Sequence, residues 1–170
     1  RVKSMSKSIH KIVSHADDLD GVASAVLLAY YIGVKYKTQA EVMFAHYENV
    51  NEVIQVASED ATHLWISDLS VRDFKIVETL SKYTPDTLHF FDHHSDTLPF
   101  IEKISDIATV CFQSNGTKCA ADLIWDFMNT DNLLTPEIYK CMEFLVRATH
   151  SRDLWINDVQ EGTDLSAVIA

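Results

Sequence analysis

Three polar side chains follow one another at Asp92-His93-His94, directly after an apolar run, Thr87-Leu88-His89-Phe90-Phe91. A carboxylate and two imidazoles add nothing to the packing of a strand. Together they offer oxygen and nitrogen donors to a metal ion, or hydrogen bonds to a phosphoryl group. Three further stretches hold the same residue types. One is His15-Ala16-Asp17-Asp18-Leu19-Asp20-Gly21, another ends Ile66-Ser67-Asp68, and the last is His150-Ser151-Arg152-Asp153-Leu154-Trp155. If these stretches meet, their acids crowd one place. Two carboxylates ~4 Å apart repel by about 4 kcal/mol at an effective dielectric near 20. Several ionised acids there require cations or shared protons, and histidines at the same place make divalent metals the better account. Oxygen-rich sites with a few imidazoles favour Mn2+ or Mg2+ over a thiolate zinc site. One acid shared between two ions gives a two-metal centre, which binds phosphoryl oxygens and activates water.

The flanking elements say how the stretches would meet. Residues 7–14 predict a strand before the first acidic turn. A helix follows from Gly21 or Val22 to Ile32, with Gly33 as its stop. Glu41 to Tyr47 reads as a strand and Val50 to Ser58 as an amphipathic helix. Thr62 to Ser67 is a strand, Phe74 to Leu80 a helix, and Thr87 to Phe91 the strand that leads into Asp92. Ile107 to Phe112 is a short strand. The turn Ser114-Asn115-Gly116-Thr117 caps a helix from Lys118 to Met128, or binds a phosphate at its start. Thr135 and Pro136 open a helix that runs to about Thr149, which leaves Asp153 in a loop. Asp164 to Ala170 opens another. Strand and helix alternate, so the expected fold is α/β, a doubly wound, mostly parallel five-stranded sheet with helices on both faces. Such sheets bind ligands at the C-terminal ends of their strands, which lie about 5 Å apart. His15, Asp68 and Asp92 all fall at such ends.

Composition narrows the function classes. The chain has 170 residues, enough for one domain with a sizeable core. Arg1 to Ser4 ahead of Met5 read as an expression remnant, so 1–5 are set aside and 6–170 form the expected domain. No apolar run approaches the ~20 residues of a membrane span, and no secretory signal pattern opens the chain, so a cytoplasmic protein with no membrane contact is expected. Cys111, Cys119 and Cys141 are dispersed without CxxC spacing, which fits reduced thiols rather than disulfides or a zinc knuckle. A net charge of −11 argues against a broad basic groove for long nucleic acid. A short anionic substrate remains compatible if metal ions supply the positive charge.

The four stretches, in this order, resemble the motifs of the DHH phosphoesterase superfamily, over about residues 9 to 155: Ser14-His15…Asp18-Leu19-Asp20-Gly21, Ile66-Ser67-Asp68, Phe91-Asp92-His93-His94 and Asp153-Leu154-Trp155. The resemblance implies two Mn2+, with Mg2+ or Co2+ as substitutes. It implies His15 and Asp18 on one ion, Asp20, His93 and Asp153 on the other, and Asp68 between them. It further implies that His94 faces the scissile phosphate and that Asp92 orients the histidines. The expected activity is hydrolysis of short oligonucleotides or signalling, including cyclic, dinucleotides. The alternative in the same superfamily is hydrolysis of pyrophosphate or polyphosphate. A homodimer is compatible with the pattern. Two departures stand out. The commonest family spacing would select Asp17, two residues after His15, whereas the Asp-x-Asp-Gly frame selects Asp18 and Asp20. The smaller substrate-gripping domain of many nuclease members has no counterpart in this sequence, as expected either of a fragment of a longer protein or of a member without that half.

Other readings compete. Asp18-Leu19-Asp20-Gly21 also resembles the nucleophile loop of haloacid-dehalogenase phosphatases, with Asp18 forming an aspartyl phosphate, but that leaves Asp92-His93-His94 without a task. A non-catalytic DHH-like scaffold is the third reading. His10, His46, His63 and His89 lie in or beside strands and read as structural. His150 and Arg152 either touch phosphate or belong to a solvated loop. Trp65, Trp125 and Trp155 read as core residues, Trp155 being the one to test as a base-stacking platform.

Overall fold

Alternation along the strands sets up two faces, because successive side chains of a strand point to opposite sides of its sheet. The structure, a computed structural model, describes residues 8–169. Residues 1–5, the first residue of the expected opening strand (Lys7) and the expected last residue of the final helix (Ala170) lie outside the described residues. The order is β1 (His10–His15), α1 (Leu19–Tyr36), β2 (Glu41–Ala45), α2 (Val50–Ser58), β3 (His63–Ser67), α3 (Phe74–Leu80) and β4 (Leu88–Asp92). A 3-10 segment (Ser95–Phe100) then leads to α4 (Ile101–Ser105), β5 (Thr109–Phe112), α5 (Ala120–Asn129), α6 (Pro136–Asp153) and α7 (Gln160–Ile169). All strand pairs are parallel, in the order β2-β1-β3-β4-β5. The expected doubly wound α/β sheet is therefore what the chain forms.

Val13, Ile66 and Phe90 share one row across the sheet. They pack with Ile54 and Ala57 of α2, Ile76 and Leu80 of α3, and Ile104 of α4. Their neighbours Ile12, Trp65 and Phe91 face the other way, against Leu27, Leu28 and Ile32 of α1, Ile124 and Met128 of α5, and Val146 of α6. Each fully buried Ile, Leu or Phe contributes about 1.5–3 kcal/mol from apolar area alone, which holds the strand ends in register. Because β1 leads outward to β2 and the chain then returns to β3 on the other side, the direction of winding reverses between β1 and β3. This switch point is where open α/β sheets form their ligand crevice.

Several boundaries differ from expectation. Gly33 does not stop α1. The helix continues to Tyr36, whose ring packs on His10 and Trp65, and ends at Lys37 in the left-handed conformation (φ 55°). Those tertiary contacts outweigh the weak helix-breaking preference of glycine. The turn at 114–117 does not cap α5. Cys119 is the N-cap, in a reciprocal arrangement with Asp122. Helix α6 runs four residues past Thr149, so Asp153 is its last residue and not a loop residue. Its polar final turn is held by α7, where Gly162 lies so close that a Cβ would meet the Ala148 carbonyl oxygen at 2.2 Å. No helix among the described residues is long and apolar enough to cross a membrane.

Candidate metal centre

Strand β1 ends at His15 and the chain turns sharply into α1. Gly21 permits the turn, since a Cβ there would lie 2.2 Å from the His15 carbonyl oxygen. The Ser14 hydroxyl donates to the Gly21 carbonyl at 2.7 Å and ties strand to helix. Asp18 is the N-cap of α1, its Oδ1 accepting the Gly21 N–H at 2.9 Å. Its other oxygen, Oδ2, lies 3.0 Å from His15 Nδ1. Asp17 turns away, toward His46 Nδ1 at 2.7 Å, although its Oδ2 remains 3.5 Å from His15 Nε2. The structure thus groups Asp18, not Asp17, with His15 and Asp68.

Asp20, on the first turn of α1, is fully buried. Its Oδ2 and Oδ1 accept the N–H groups of Ala120 and Ala121 at 2.7 and 2.8 Å, at the start of α5. Burial first, and then the charges of Asp68 and Asp153, push its carboxyl well above the usual range against those donors. Asp68 follows β3 with a left-handed backbone (φ 56°), fixed by its N–H donating to the Phe91 carbonyl at 2.9 Å. A short polar side chain tolerates that conformation better than most. Its two oxygens face different ways. Oδ2 lies 3.7 Å from His15 Nδ1, and Oδ1 lies 3.4 Å from His93 Nε2. His93 Nε2 also lies 3.5 Å from Asp20 Oδ2 and 3.7 Å from Asp153 Oδ2. Asp68 is therefore common to two groups, with His15 and Asp18 and with His93 and His94, while Asp20 and Asp153 reach His93 but group with Cys119.

Electrostatics follow from this crowding. Burial opposes a charge on His15, but the Asp18 bond and the nearby Asp68 carboxylate prevail and raise it to about 10. Asp18 is lowered, its bonds to His15 and Gly21 overcoming burial. Burial raises Asp153 to about 6, with His93 opposing and Asp68 reinforcing the shift. Four buried polar atoms at the centre have no hydrogen-bond partner: His15 Nε2, Asp68 Oδ2, His93 Nε2 and Asp153 Oδ2. Each such atom costs about 1–3 kcal/mol if nothing satisfies it. Nitrogen and carboxylate donors aimed inward from several elements suit divalent cations.

Asp92, the last residue of β4 and completely buried, is fixed by the Thr97 hydroxyl donating to Oδ2. Its Oδ1 lies 2.6 Å from His94 Nδ1, which leaves His94 Nε2 pointing outward, 3.2 Å from the Tyr47 hydroxyl. Burial opposes charging of His94 and the Asp92 contact overrides it, so His94 is raised.

Tyr47, Thr97 and Cys119 were not singled out by the sequence. Tyr47 follows β2 and so stands on the same rim of strand ends, a signal that topology provides. Thr97 and Cys119 reach the site only through tertiary packing. The Cys119 sulfur clusters with Asp20 and Asp153, but burial and the Asp20 and Asp122 charges push its thiol far up. A thiol held neutral is a poor zinc ligand. His150 is not a free loop residue, since its Nδ1 lies 2.7 Å from Asp122 Oδ2. Trp155 is not core. It is 75% exposed, whereas Trp65 is completely buried.

Comparison with models of known protein families gave no match, and no curated protein sequence matched the chain.

Proposed function

We propose that this chain is a metal-dependent phosphoesterase domain of the DHH kind. In this reading it hydrolyses phosphodiester bonds in short oligonucleotides or signalling dinucleotides, with pyrophosphate and polyphosphate as the alternative substrates. The observation that carries the proposal is the arrangement around Asp68. Its two oxygens face two different histidines, at 3.7 and 3.4 Å, amid buried polar atoms without partners. His15, Asp18 and Asp68 would hold one ion. Asp20, His93 and Asp153 would hold the other together with Asp68. Two divalent ions, Mn2+ first among them, would supply Lewis acidity to a phosphoryl oxygen and a water of lowered pKa.

The chain's own residues do the rest. The Ala120 and Ala121 N–H groups fix the rotamer of Asp20. Asp92 holds the His94 ring by Nδ1, so that Nε2 presents a donor to the open side when the ring is charged. A donor preset toward a phosphoryl oxygen that gains charge in the transition state lowers the barrier. Calorimetry with Mn2+ on the purified protein tests the proposal. About two ions per chain are expected. No uptake, or zinc retained through Cys119, would remove it.

A further inference from the structure

At the margin of the metal centre the last turn of α6 carries a cation, Arg152, and the loop after it an exposed aromatic ring, Trp155. Trp155 is 75% exposed. Its backbone is left-handed (φ 58°), which a bulky side chain seldom adopts. The turn is imposed from below. The Trp155 N–H donates to the Arg152 carbonyl at 3.2 Å, and the Asn157 N–H to the Ser151 carbonyl at 2.9 Å. The buried Ser151 hydroxyl accepts the N–H groups of Asp158 and Val159 at 2.9 and 3.0 Å. Backbone strain held in place this firmly is found where a side chain must be presented in one position.

The Arg152 guanidinium lies 4.7 Å from the Trp155 ring centre, and among the described residues it makes no salt bridge. Arg72, the other arginine near this rim, is committed to Asp96 at 3.0 Å. Arg152 and Trp155 line an open cleft of about 210 Å³ with Asp18, Asp153 and Ser166. That is below the ~300–1,000 Å³ of pockets that enclose a whole small ligand, and suits a subsite for one part of a ligand. A guanidinium recognises phosphate oxygens. An indole face stacks on any base, and such stacking is tolerant of sequence. One cation without a salt bridge beside one exposed aromatic face, in a cleft whose walls also carry the Asp18 and Asp153 carboxylates, favours a ligand with both a phosphate and a ring over a bare anion.

We propose that Arg152 and Trp155 form a nucleotide subsite next to the metal centre, in which the indole stacks a base and the guanidinium takes a phosphate not under attack. The substrate class is then a nucleotide ester, linear or cyclic, and not pyrophosphate or polyphosphate. As a statement about substrate this rests on the phosphoesterase reading, but as a binding site it can be tested apart from it.

Tryptophan fluorescence is followed in the presence of a chelator while adenosine monophosphate, linear or cyclic di-adenylate, or inorganic pyrophosphate is added. A saturable quench by the adenylates, absent with pyrophosphate and lost in Trp155→Phe, is expected. Arg152→Gln should weaken the adenylate affinity by about fivefold or more. In the metal-loaded protein, Trp155→Ala should lower kcat/KM on linear di-adenylate by about tenfold or more. Circular dichroism checks that each variant folds. A quench that persists in Trp155→Phe, no quench at all, or an equal response to pyrophosphate overturns the subsite. Loss of Mn2+ uptake in the unaltered protein overturns the phosphoesterase reading instead, because the chelated titration does not depend on it.

Discussion

Asp68 and His94 stand within 3.9 Å of one another, yet their removal should have different consequences. Asp68 presents an oxygen to each cluster, so Asp68→Ala should weaken uptake of both ions together, read by calorimetry. His94 has its Nδ1 engaged by Asp92, and its outer nitrogen meets only the Tyr47 hydroxyl. His94→Ala should therefore leave metal content nearly intact and reduce turnover by ~10²-fold, the loss typical of one transition-state donor. A His94 variant stripped of both ions would show that the imidazole is a ligand, and the division of roles between His93 and His94 would have to be redrawn.

Helix α1 shows where sequence reading succeeds and where it stops. Its buried face is legible because spacing is local, but it starts at Leu19, two residues before the expected Gly21, because Asp18 caps it. Its end is not legible, because Tyr36 holds the last turn through rings on β1 and β3. The same limit applies to α6. Its apolar periodicity fades before residue 150, and only packing against α7 keeps the final turn helical and Asp153 on it. The acids and histidines were legible because the strand ends that bring them together follow from the alternation of elements. The N–H groups that grip Asp20 were not, since they belong to alanines without any chemical signature. Gly33 allows a direct test. It is helical, and the nearest atom to an added Cβ is the Thr38 carbonyl oxygen at 3.8 Å, ordinary contact. Gly33→Ala should stabilise the protein by about 0.5–1 kcal/mol, raising Tm by roughly 1–4 °C. A lower Tm would mean that the helix needs glycine for a reason other than space.

Across the whole molecule the two ends of the sheet have opposite chemistry. The C-terminal rim gathers acids. At the other end His63 stacks on His10 at 4.3 Å, the Trp65 indole N–H donates to His10 Nδ1 at 3.3 Å, and Trp65 stacks on His89 at 3.8 Å. Burial first, and then the nearby His63, lower both His10 and His89 to about 4. The unfolded chain takes up these protons near pH 6.5 and the folded protein only near 4. Their contribution is therefore complete above pH 6.5 and is lost as pH falls toward 4. His89→Phe, which keeps a ring against Trp65, should flatten the decline in denaturant-measured stability across that window. Asp153, raised to about 6, acts in the opposite sense but is common to both proteins, so an unchanged slope would show that His89 is not held neutral. The grip on Asp20 also has a consequence in time. Its partners lie 100 residues further along the chain, and Asp153 comes later still. A ribosome emits the first acids long before the backbone that orients them, and contacts this distant in sequence form late in folding. In the proposed reading, a nascent chain short of α6 would already carry the His15, Asp18 and Asp68 group but would lack Asp153 at the other ion. Uptake of the second ion would then mark the moment at which the last long helix docks, and a truncated product would be told from a finished one by holding one ion where the finished one holds two.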